Sequence, residues 1–321
     1  MDKQLLDEVI ACLPEGRTFF HYHRDRYVLL LLEELARRND VKRVSELKQT
    51  PYAHWLQKPF VKDWLAARGR ADVPVQDLLQ HWPAALPHFT YLLSLGAWGQ
   101  DRGGGWRQTS RPGWNLVLRL NLPMAHQRYL CEEAGAGGLR DLQWNGHPCD
   151  DRRLTLSWAR LDIDFATGEA LIEEIQSDWT RDVESMRGFV RRARQDGRKT
   201  ACWYDREVGL HVLEHYVATF QAQQRLWHEA MLTAALWFLW QELGIRRVFY
   251  HSWETGLAVK RMEREWGPPR SLYTDLPERF GFRRVGEGPG FLESDRHVRK
   301  LKARHQRQRQ PVEWSWYHWA A

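Results

Sequence analysis

The strongest constraint on the fold is the segment 158–165, WARLDIDF, in which apolar and charged side chains alternate. Every second position from Leu161 to Phe165 is apolar, and the positions between them, from Arg160 to Asp164, are charged. Successive side chains of a strand point to opposite faces, so this alternation predicts a strand with one buried face. A strand of this kind needs a partner strand and a packed apolar layer.

The next residues, FATGE at 165–169, have the composition of a type I turn closed by a glycine bulge at Gly168. This turn predicts a hairpin in which Ile163 faces Leu171 and Leu161 faces Glu173. The same register pairs Phe165 with Glu169. Glu173 is then expected to point into the apolar face.

On the other face this register places Arg160 opposite Glu174 and Trp158 opposite Gln176. A two-residue turn at Thr167-Gly168 would shift the pairing by one residue, so that Glu174 and Gln176 would face the core instead. In both registers one carboxylate lies among apolar neighbours.

The segment EEIQSDW at 173–179 is therefore the first candidate site. A buried carboxylate without a partner costs several kcal/mol, so proteins keep one in a structural ion pair or for binding and catalysis. Both explanations remain open, with Glu173 and Glu174 as candidate catalytic bases. Gln176 and Asp178 are candidate ligand-binding residues, because side chains two apart repeat every ~7 Å along one face. Asp178 is also a candidate helix cap, and Trp179 a candidate pocket wall.

A second candidate region follows an apolar helix predicted for residues 221–243, which Gly244 ends. Residues 247–250 predict a short buried strand, and HSWETG stands at its carboxyl end, where open α/β sheets bind ligands. His251 is therefore a candidate acid or base. In the alternative interpretation His251 is a core residue and Ser252 only caps a helix predicted to run from Trp253 to Glu265.

The loop after that helix adds two candidate ligand-binding residues. GPPRSLYTDLPERFGFRRV begins with a glycine and two prolines that stop the helix, and it places Arg270 and Tyr273 in a rigid segment suited to an anionic ligand. A final hairpin is predicted from GFRRV and GFLES.

The fold class predicted is α+β, or mixed α/β: a helical N-terminal region followed by a mixed, largely antiparallel sheet with packed helices. Three parts are expected. Residues 1–88 form a helical region with the rhythm of a helix-turn-helix at VSELKQTPYAHWLQKPFVKDWLAARG. Residues 89–295 form the α/β domain, beginning with a hairpin from FTYLLSLGAWG and WNLVLRLNL, and residues 296–321 form a basic, aromatic tail.

Charge is uneven along the chain. The net charge is +6, yet residues 296–310 contain seven Arg and Lys and no acid, so the remaining chain is nearly neutral. This basic segment predicts either a solvated helix or a contact with nucleic acid phosphates. No apolar run reaches 18 residues and no signal peptide pattern is present, so a cytoplasmic protein without a membrane partner is expected. The four scattered cysteines predict neither disulfides nor a zinc site.

EEIQSDW after a hairpin, with LWHEAML, VFYHSWETG and PPRSLYTDLPERFGF further on, resembles segments of polyvalent proteins of bacteriophages and mobile elements and a group of uncharacterised bacterial proteins. The resemblance covers about residues 155–295 and implies no activity. The order of strands and helices is also similar to the Gcn5-related acetyltransferase fold. That family binds the acyl-CoA diphosphate on a glycine-rich turn at a helix N-terminus, where this chain has DWTRDVESMRG.

Three functions follow from these patterns. The first is a transferase-like, acetyltransferase-like enzyme that binds an unknown small molecule between EEIQSDW and HSWETG. The second is a nucleic-acid-binding protein that uses residues 296–310 and its tryptophans. The third is a metal-dependent hydrolase at HVLEH, His211 to His215, which fits the H-x-x-E-H pattern of inverzincins. No cofactor is identified, and no metal ligand set is assigned.

Overall fold

The computed structural model describes residues 1–12, 18–39, 41–69, 72–84, 86–100, 108–124, 126, 142–144, 146–203, 206–307 and 312–319. The strands are β1 (Thr18–Tyr22), β2 (Phe89–Gln100), β3 (Gly113–Asn121), β4 (Thr155–Asp164), β5 (Glu169–Gln176), β6 (Thr200–Trp203), β7 (Arg206–Gly209), β8 (Arg247–His251), β9 (Arg283–Val285) and β10 (Trp316–Trp319).

The α-helices are α1 (Lys3–Cys12), α2 (Tyr27–Asn39), α3 (Val44–Leu47), α4 (Pro59–Arg68), α5 (Val75–Leu79), α6 (Asp178–Gln195), α7 (Leu210–Trp237), α8 (Trp253–Lys260), α9 (Asp275–Arg279), α10 (Gly290–Glu293) and α11 (Arg296–Gln306). Short 3-10 turns lie at Ala53–Gln57, Arg264–Trp266 and Arg270–Leu272, and α7 continues into a π-turn at Phe238–Glu242.

Eight strands form one sheet in the order β1-β2-β3-β4-β5-β8-β10-β9, and β6 and β7 form a separate ribbon. Neighbours in the sheet are antiparallel except β5 and β8, which are parallel from Glu169–Arg247 to Ile172–Tyr250. The predicted α+β class, with a largely antiparallel mixed sheet and packed helices, is confirmed. In the described sheet, the carboxyl ends of two neighbouring strands meet at one edge only where β5 and β8 lie side by side.

The two faces of the sheet carry different layers. Ile172 and Tyr250 face the main core, which includes apolar side chains of α2, α6 and α7. Leu171 and Phe249 alternate with them and face a smaller apolar cluster with Trp316 and residues of α10 and α11. The long connection from β5 to β8 through α6 and α7 is what allows these strands to run parallel.

The N-terminal and C-terminal segments both contribute strands to this sheet. Residues 1–88 are mostly helical as predicted, but β1 lies among them and pairs with β2. In the segment 296–321, predicted as a tail, β10 lies between β8 and β9. Trp316 and Trp319 are both buried, on opposite faces of the sheet, so this segment joins the sheet rather than extending from it.

Three local predictions are resolved by the structure. The hairpin from β2 and β3 is confirmed over nine pairs, from Leu92–Asn121 to Gln100–Gly113. The hairpin expected from GFRRV and GFLES is wrong, because Pro289 is the N-cap of helix α10 and β9 pairs with β10 instead. The helix expected to reach Glu265 ends at Lys260, where Arg261 adopts a left-handed conformation with φ of 55°.

Candidate functional site

A bulge in β5 determines where the two glutamates point. The predicted pairs Arg160–Glu174 and Trp158–Gln176 are confirmed, but the pairs nearer the turn are Asp164–Glu169 and Leu161–Ile172. The expected pairing of Phe165 with Glu169, Ile163 with Leu171 and Leu161 with Glu173 is therefore wrong. The sequence periodicity did not reveal that Glu173 is an extra residue opposite the Arg160–Leu161 step.

Glu173 is fully buried, but polar groups rather than the expected apolar face surround its carboxylate. The backbone N–H of Ser110 donates to Oε1 at 2.9 Å, and the Ser110 hydroxyl donates to Oε2 at 2.7 Å. Nε2 of His251 lies 3.2 Å from Oε2. The loop before β3 and the end of β8 thus both bind this carboxylate.

Glu174 is also buried, and two cations neutralise the pair of glutamates. Arg160 forms an ion pair with Glu174 directly across the hairpin. Nζ of Lys260, the last residue of α8, lies 3.5 Å from Glu174 Oε2 and 4.0 Å from Glu173 Oε2. Lys260 also donates to the backbone carbonyl of Glu173 at 2.6 Å, a group next to the bulge. Two carboxylates and two cations therefore share one buried space.

Burial and charge set the protonation states of this cluster. Burial raises the pKa of Glu173, but the hydrogen bond to His251 and the charges of Lys260 and Arg160 outweigh it and lower the pKa to about 2. Burial likewise raises the pKa of Glu174, and Lys260 and Arg160 again make the net shift downward. Burial lowers the pKa of Lys260, which the two glutamates partly offset. Burial also lowers the pKa of His251, so the imidazole is neutral.

Ser110, His251 and Glu173 are in contact, yet they do not form a nucleophilic triad. In such a triad the histidine uses one ring nitrogen for the serine and the other for the carboxylate. Here Nε2 of His251 lies 2.8 Å from Ser110 Oγ and also faces Glu173, while Nδ1 has no hydrogen-bond partner in the described chain. The arrangement positions Glu173 and does not activate Ser110.

A small cavity opens beside Glu174 and has room for about one water molecule. Its lining residues come from β5, α8 and the following loop: Glu174, Trp253, Gly256, Leu257, Lys260, Met262, Pro268 and Tyr273. The Tyr273 hydroxyl is buried and has no hydrogen-bond partner in the described chain. Burial, together with the charge of Glu174, raises the pKa of Tyr273, so this hydroxyl stays protonated. An ionised acceptor and a neutral donor thus line the same cavity.

Gln176 and Asp178 lie beyond this cavity in a second polar group. Nε2 of Gln176 donates to Asp178 Oδ1 at 2.9 Å, and His147 Nδ1 lies 2.8 Å from Asp178 Oδ2. Asp178 does not cap α6, because Ser177 is the N-cap and accepts from the backbone N–H of Thr180 at 3.1 Å. The expected pocket-wall residue Trp179 is instead a core side chain.

Arg270 lies outside the cavity, on the far side of one wall. Its guanidinium is exposed, stacks over the Trp253 ring at 4.7 Å and forms an ion pair with Glu254 at 2.7 Å. The Trp253 indole donates to the carbonyl of Pro268 at 2.9 Å. Trp253 therefore lies between Arg270 and the cavity, and Arg270 contacts only the outer side of this wall.

Of the residues proposed from the sequence, the structure brings Glu173, Glu174, His251 and Tyr273 together and leaves Arg270 outside. Lys260 was missed, although a lysine ending the apolar run GLAV was a usable signal. Ser110 was missed because nothing local marks a serine in a loop. Ser252 caps α8 as the alternative interpretation expected, by accepting from Thr255 N–H at 3.2 Å.

The HVLEH pattern lies at the start of α7. Glu214, the proposed base, accepts two hydrogen bonds from Arg194, each of 2.7 Å. Within the described part of the chain, no three His, Cys, Asp or Glu side chains are grouped so that they could hold a metal ion. The geometry of these residues gives no support to a metal centre at HVLEH.

No family model matches this chain, and no curated protein and no solved structure matches it either. Among the residues described, no helix combines the length and apolar character needed to cross a bilayer.

Proposed function

We propose that this chain is a transferase-like enzyme whose small-molecule substrate binds between the carboxyl ends of β5 and β8, with only its reacting atoms entering the cavity beside Glu174, which has room for about one water molecule. The observation that carries the proposal is the cavity at this edge, where ionised Glu174 and the unpartnered Tyr273 hydroxyl lie together. Buried polar atoms without partners are rare in folded proteins, and a ligand is one reason for keeping them. The strand-end position is also where mixed sheets bind ligands.

In this proposal Glu174 is the general base and Tyr273 holds the substrate. The lowered pKa of Glu174 keeps its carboxylate ionised at neutral pH. Glu174 accepts the proton of the attacking hydroxyl or amine as the new bond to the transferred group forms, and the bond between that group and the donor breaks with its electron pair leaving on the donor fragment. The Tyr273 hydroxyl donates a hydrogen bond to the group being transferred. Lys260 and Arg160 compensate the charge of Glu174, and Glu173 with His251 fixes Lys260 and the bulge.

The order of elements supports an acyl-transfer version of this proposal. Antiparallel strands β2 to β5 lead through helices to parallel β8, then to helix α8 and two antiparallel terminal strands, as the similarity to Gcn5-related acetyltransferases implies. The first turn of α6 argues against a coenzyme A diphosphate there. Asp178 places a buried carboxylate at that helix start, and like charges repel. The transferase proposal therefore does not depend on coenzyme A.

A panel of group donors tests the proposal by thermal unfolding: an acyl thioester, a methylsulfonium compound, a nucleotide sugar and a nicotinamide dinucleotide. We expect one class to raise the Tm by several degrees, since a ligand at 100 times its Kd adds about 2.7 kcal/mol. Tyr273→Phe should lower the affinity for that compound about tenfold, because one hydrogen bond to it is lost. Tyr91→Phe is the matched control, because the Tyr91 hydroxyl is also buried without a partner but lies far along the sheet, on β2.

Turnover of the compound identified separates binding from catalysis. Glu174→Gln should lower kcat by a factor of ~100 or more while changing substrate affinity little. The proposal fails if no donor class stabilises the protein, or if Tyr273→Phe and Tyr91→Phe bind the compound equally well.

A basic surface on α11 favours nucleic acid binding as a second function. Val298 and Leu301 bury one side of the helix. Five exposed cations lie away from that side, four on the helix and one directly after it: Arg296, Arg299, Lys300, Arg304 and Arg307. None of the five has an ion pair with a described residue. Residues 308–310 of the predicted basic segment lie outside the described residues.

Salt dependence of binding to a DNA duplex tests this second function. Changing Arg299, Lys300 and Arg304 to Gln should make the negative slope of log K against log salt shallower by about 3, since each phosphate contact contributes about −0.9 to it. Replacing Arg191, Arg192 and Arg198 near the end of α6 is the control for net charge. Equal effects of the two triple variants would argue against a specific role for α11.

A further inference from the structure

The sheet ends at β1, and a groove follows the free edge of this strand. Within the described chain β1 pairs with β2 alone, from Thr18–Leu93 to Tyr22–Phe89. An edge strand presents unpaired N–H and C=O groups, which form a template for another extended segment. Edge strands are commonly shielded by charged residues or prolines, whereas β1 exposes the aromatic ring of Phe19, which is 64% accessible.

The groove has a volume of about 310 Å³ and lies between β1 and α2. Phe19 and His21 stack on one face of β1, and Phe20 and Tyr22 stack on the other. Side chains from both faces of β1 line the groove: Phe19 and His21 from one face and Phe20 from the other. The groove therefore follows the edge of the strand. Its remaining lining residues are mostly apolar and come from the turn before α2, from α2, α5 and α7, and from the residues after α5: Arg26, Leu29, Leu30, Glu33, Leu79, Trp82, Thr233 and Trp237.

One cation in this groove has no counter-charge among the described residues. The guanidinium of Arg26 stacks on the Trp82 ring at 4.0 Å, and it has no ion pair or side-chain hydrogen bond with any described residue. Glu33, which also lines the groove, is already paired with Arg37 at 2.9 Å. Burial lowers the pKa of Arg26, because the guanidinium loses contact with water and no carboxylate among the described residues compensates its charge. An occupant with a carboxylate would complete this site.

We propose that the groove between β1 and α2 binds an extended peptide that pairs with the edge of β1 and places a carboxylate on Arg26. A segment lying between a strand and a helix gains main-chain hydrogen bonds from the strand, and its alternate side chains enter the apolar groove. The need for a carboxylate beside Arg26 favours such a peptide over a second copy of this chain paired through its own β1. The strand TFFHY contains no acid, so pairing two β1 strands would leave Arg26 without a partner.

The experiment selects from a random octapeptide library with free carboxyl termini on the immobilised full chain. Enriched peptides should have apolar residues at alternate positions and a carboxylate, from an acidic side chain or the terminus. The best peptide is then synthesised in three forms: unmodified, with its carboxylates converted to amides, and with alternate backbone N-methylation. Binding is measured by titration, and the backbone amides of Thr18–Tyr22 are followed by hydrogen exchange.

Arg26→Gln should lower the affinity for the unmodified peptide at least tenfold. The amide form of the peptide should lose affinity for the wild-type protein to a similar extent. The N-methylated form should not bind, and the unmodified form should slow exchange along β1. Arg68→Gln is the matched control, because Arg68 also stacks on a tryptophan, Trp64 at 4.3 Å, but outside the groove. No enrichment, equal binding to the Arg26 and Arg68 variants, or a concentration-dependent dimer that Phe19→Glu dissociates would overturn the proposal.

Discussion

Glu173 and Glu174 are neighbours in sequence, yet both carboxylates reach the same ammonium group, that of Lys260. In a regular strand adjacent side chains point to opposite faces, so this convergence requires the bulge in β5. The bulge also frees the Glu173 carbonyl from regular pairing, and Lys260 bonds it. One backbone irregularity thus creates both the acidic pair and the position of its cation.

Lys260→Met should destabilise the protein by about 3 kcal/mol or more, because it leaves two buried carboxylates with Arg160 as their remaining close cation. The free energy of unfolding in urea measures this loss. Lys3→Met is the control, since Lys3 pairs with Asp7 on the surface and such pairs contribute under about 1 kcal/mol. Equal losses in the two variants would show that the Lys260 cluster is not stabilising.

Gly168→Ala should cost about 1 kcal/mol of stability, because Gly168 closes the β4–β5 turn with a φ of 65°, which residues with a Cβ disfavour. Gly286→Ala should have no comparable cost, since Gly286 has open space around it and no positive φ. Denaturant midpoints of both variants measure the difference. A Gly168→Ala protein as stable as Gly286→Ala would exclude this role of the turn.

Stability should fall as pH decreases from about 6.5 to about 4, in part because of His228. Burial and the charge of Arg279 lower the pKa of His228 from 6.5 to about 4. Within that interval the unfolded chain binds a proton that the folded protein does not, so acid favours unfolding. His228 is partly exposed, so its share is about 2 kcal/mol rather than the full value for this shift.

His228→Gln should therefore reduce the loss of stability between pH 7 and pH 4. The glutamine can still accept the hydrogen bond that Arg279 makes to Nε2 at 3.0 Å. His54→Gln, at an exposed position, is the control for exchanging a histidine for a glutamine. A parallel pH profile for wild type and His228→Gln would contradict the assignment.

Arg270→Ala should loosen the outer wall of the cavity with little effect on global stability. The exposed pair with Glu254 contributes at most about 1 kcal/mol, but the stack on Trp253 holds the loop over the cavity. Hydrogen exchange of residues 264–273 should become faster, while that of β4 and β5 remains unchanged. Unchanged exchange in 264–273 would show that Trp253 stays in place without Arg270.

The sequence predicted the pairs of the hairpin that lie beyond the bulge, but not those next to the turn. The turn residues gave a register one residue off, and the bulge at Glu173 shifts the pairing back, so that Arg160 lies opposite Glu174 as predicted. The bulge itself was not predicted, because one inserted residue leaves no trace in the composition of EALIEEIQ. Lys260 and Ser110 approach Glu173 from distant parts of the chain, 87 and 63 positions away, and no local pattern encodes such contacts.

The same reasoning explains the errors at the ends of the chain. WSWYHW has aromatic residues at both odd and even positions and therefore lacks the alternation of a half-buried strand, and the preceding basic run dominated its interpretation as a tail. β1 has only five residues and stands between helices, so the helical surroundings outweighed it. In both cases a short strand gains its stability from a partner far along the chain, β8 and β9 for β10 and β2 for β1.

The most direct test of the central claim is a crystal structure with the donor compound that most stabilises the protein. We expect electron density in the cavity beside Glu174, with a polar atom of the compound within hydrogen-bond distance of Glu174 Oε and of the Tyr273 hydroxyl. Density for the compound at another place, with only water between Glu174 and Tyr273, would contradict the proposed site.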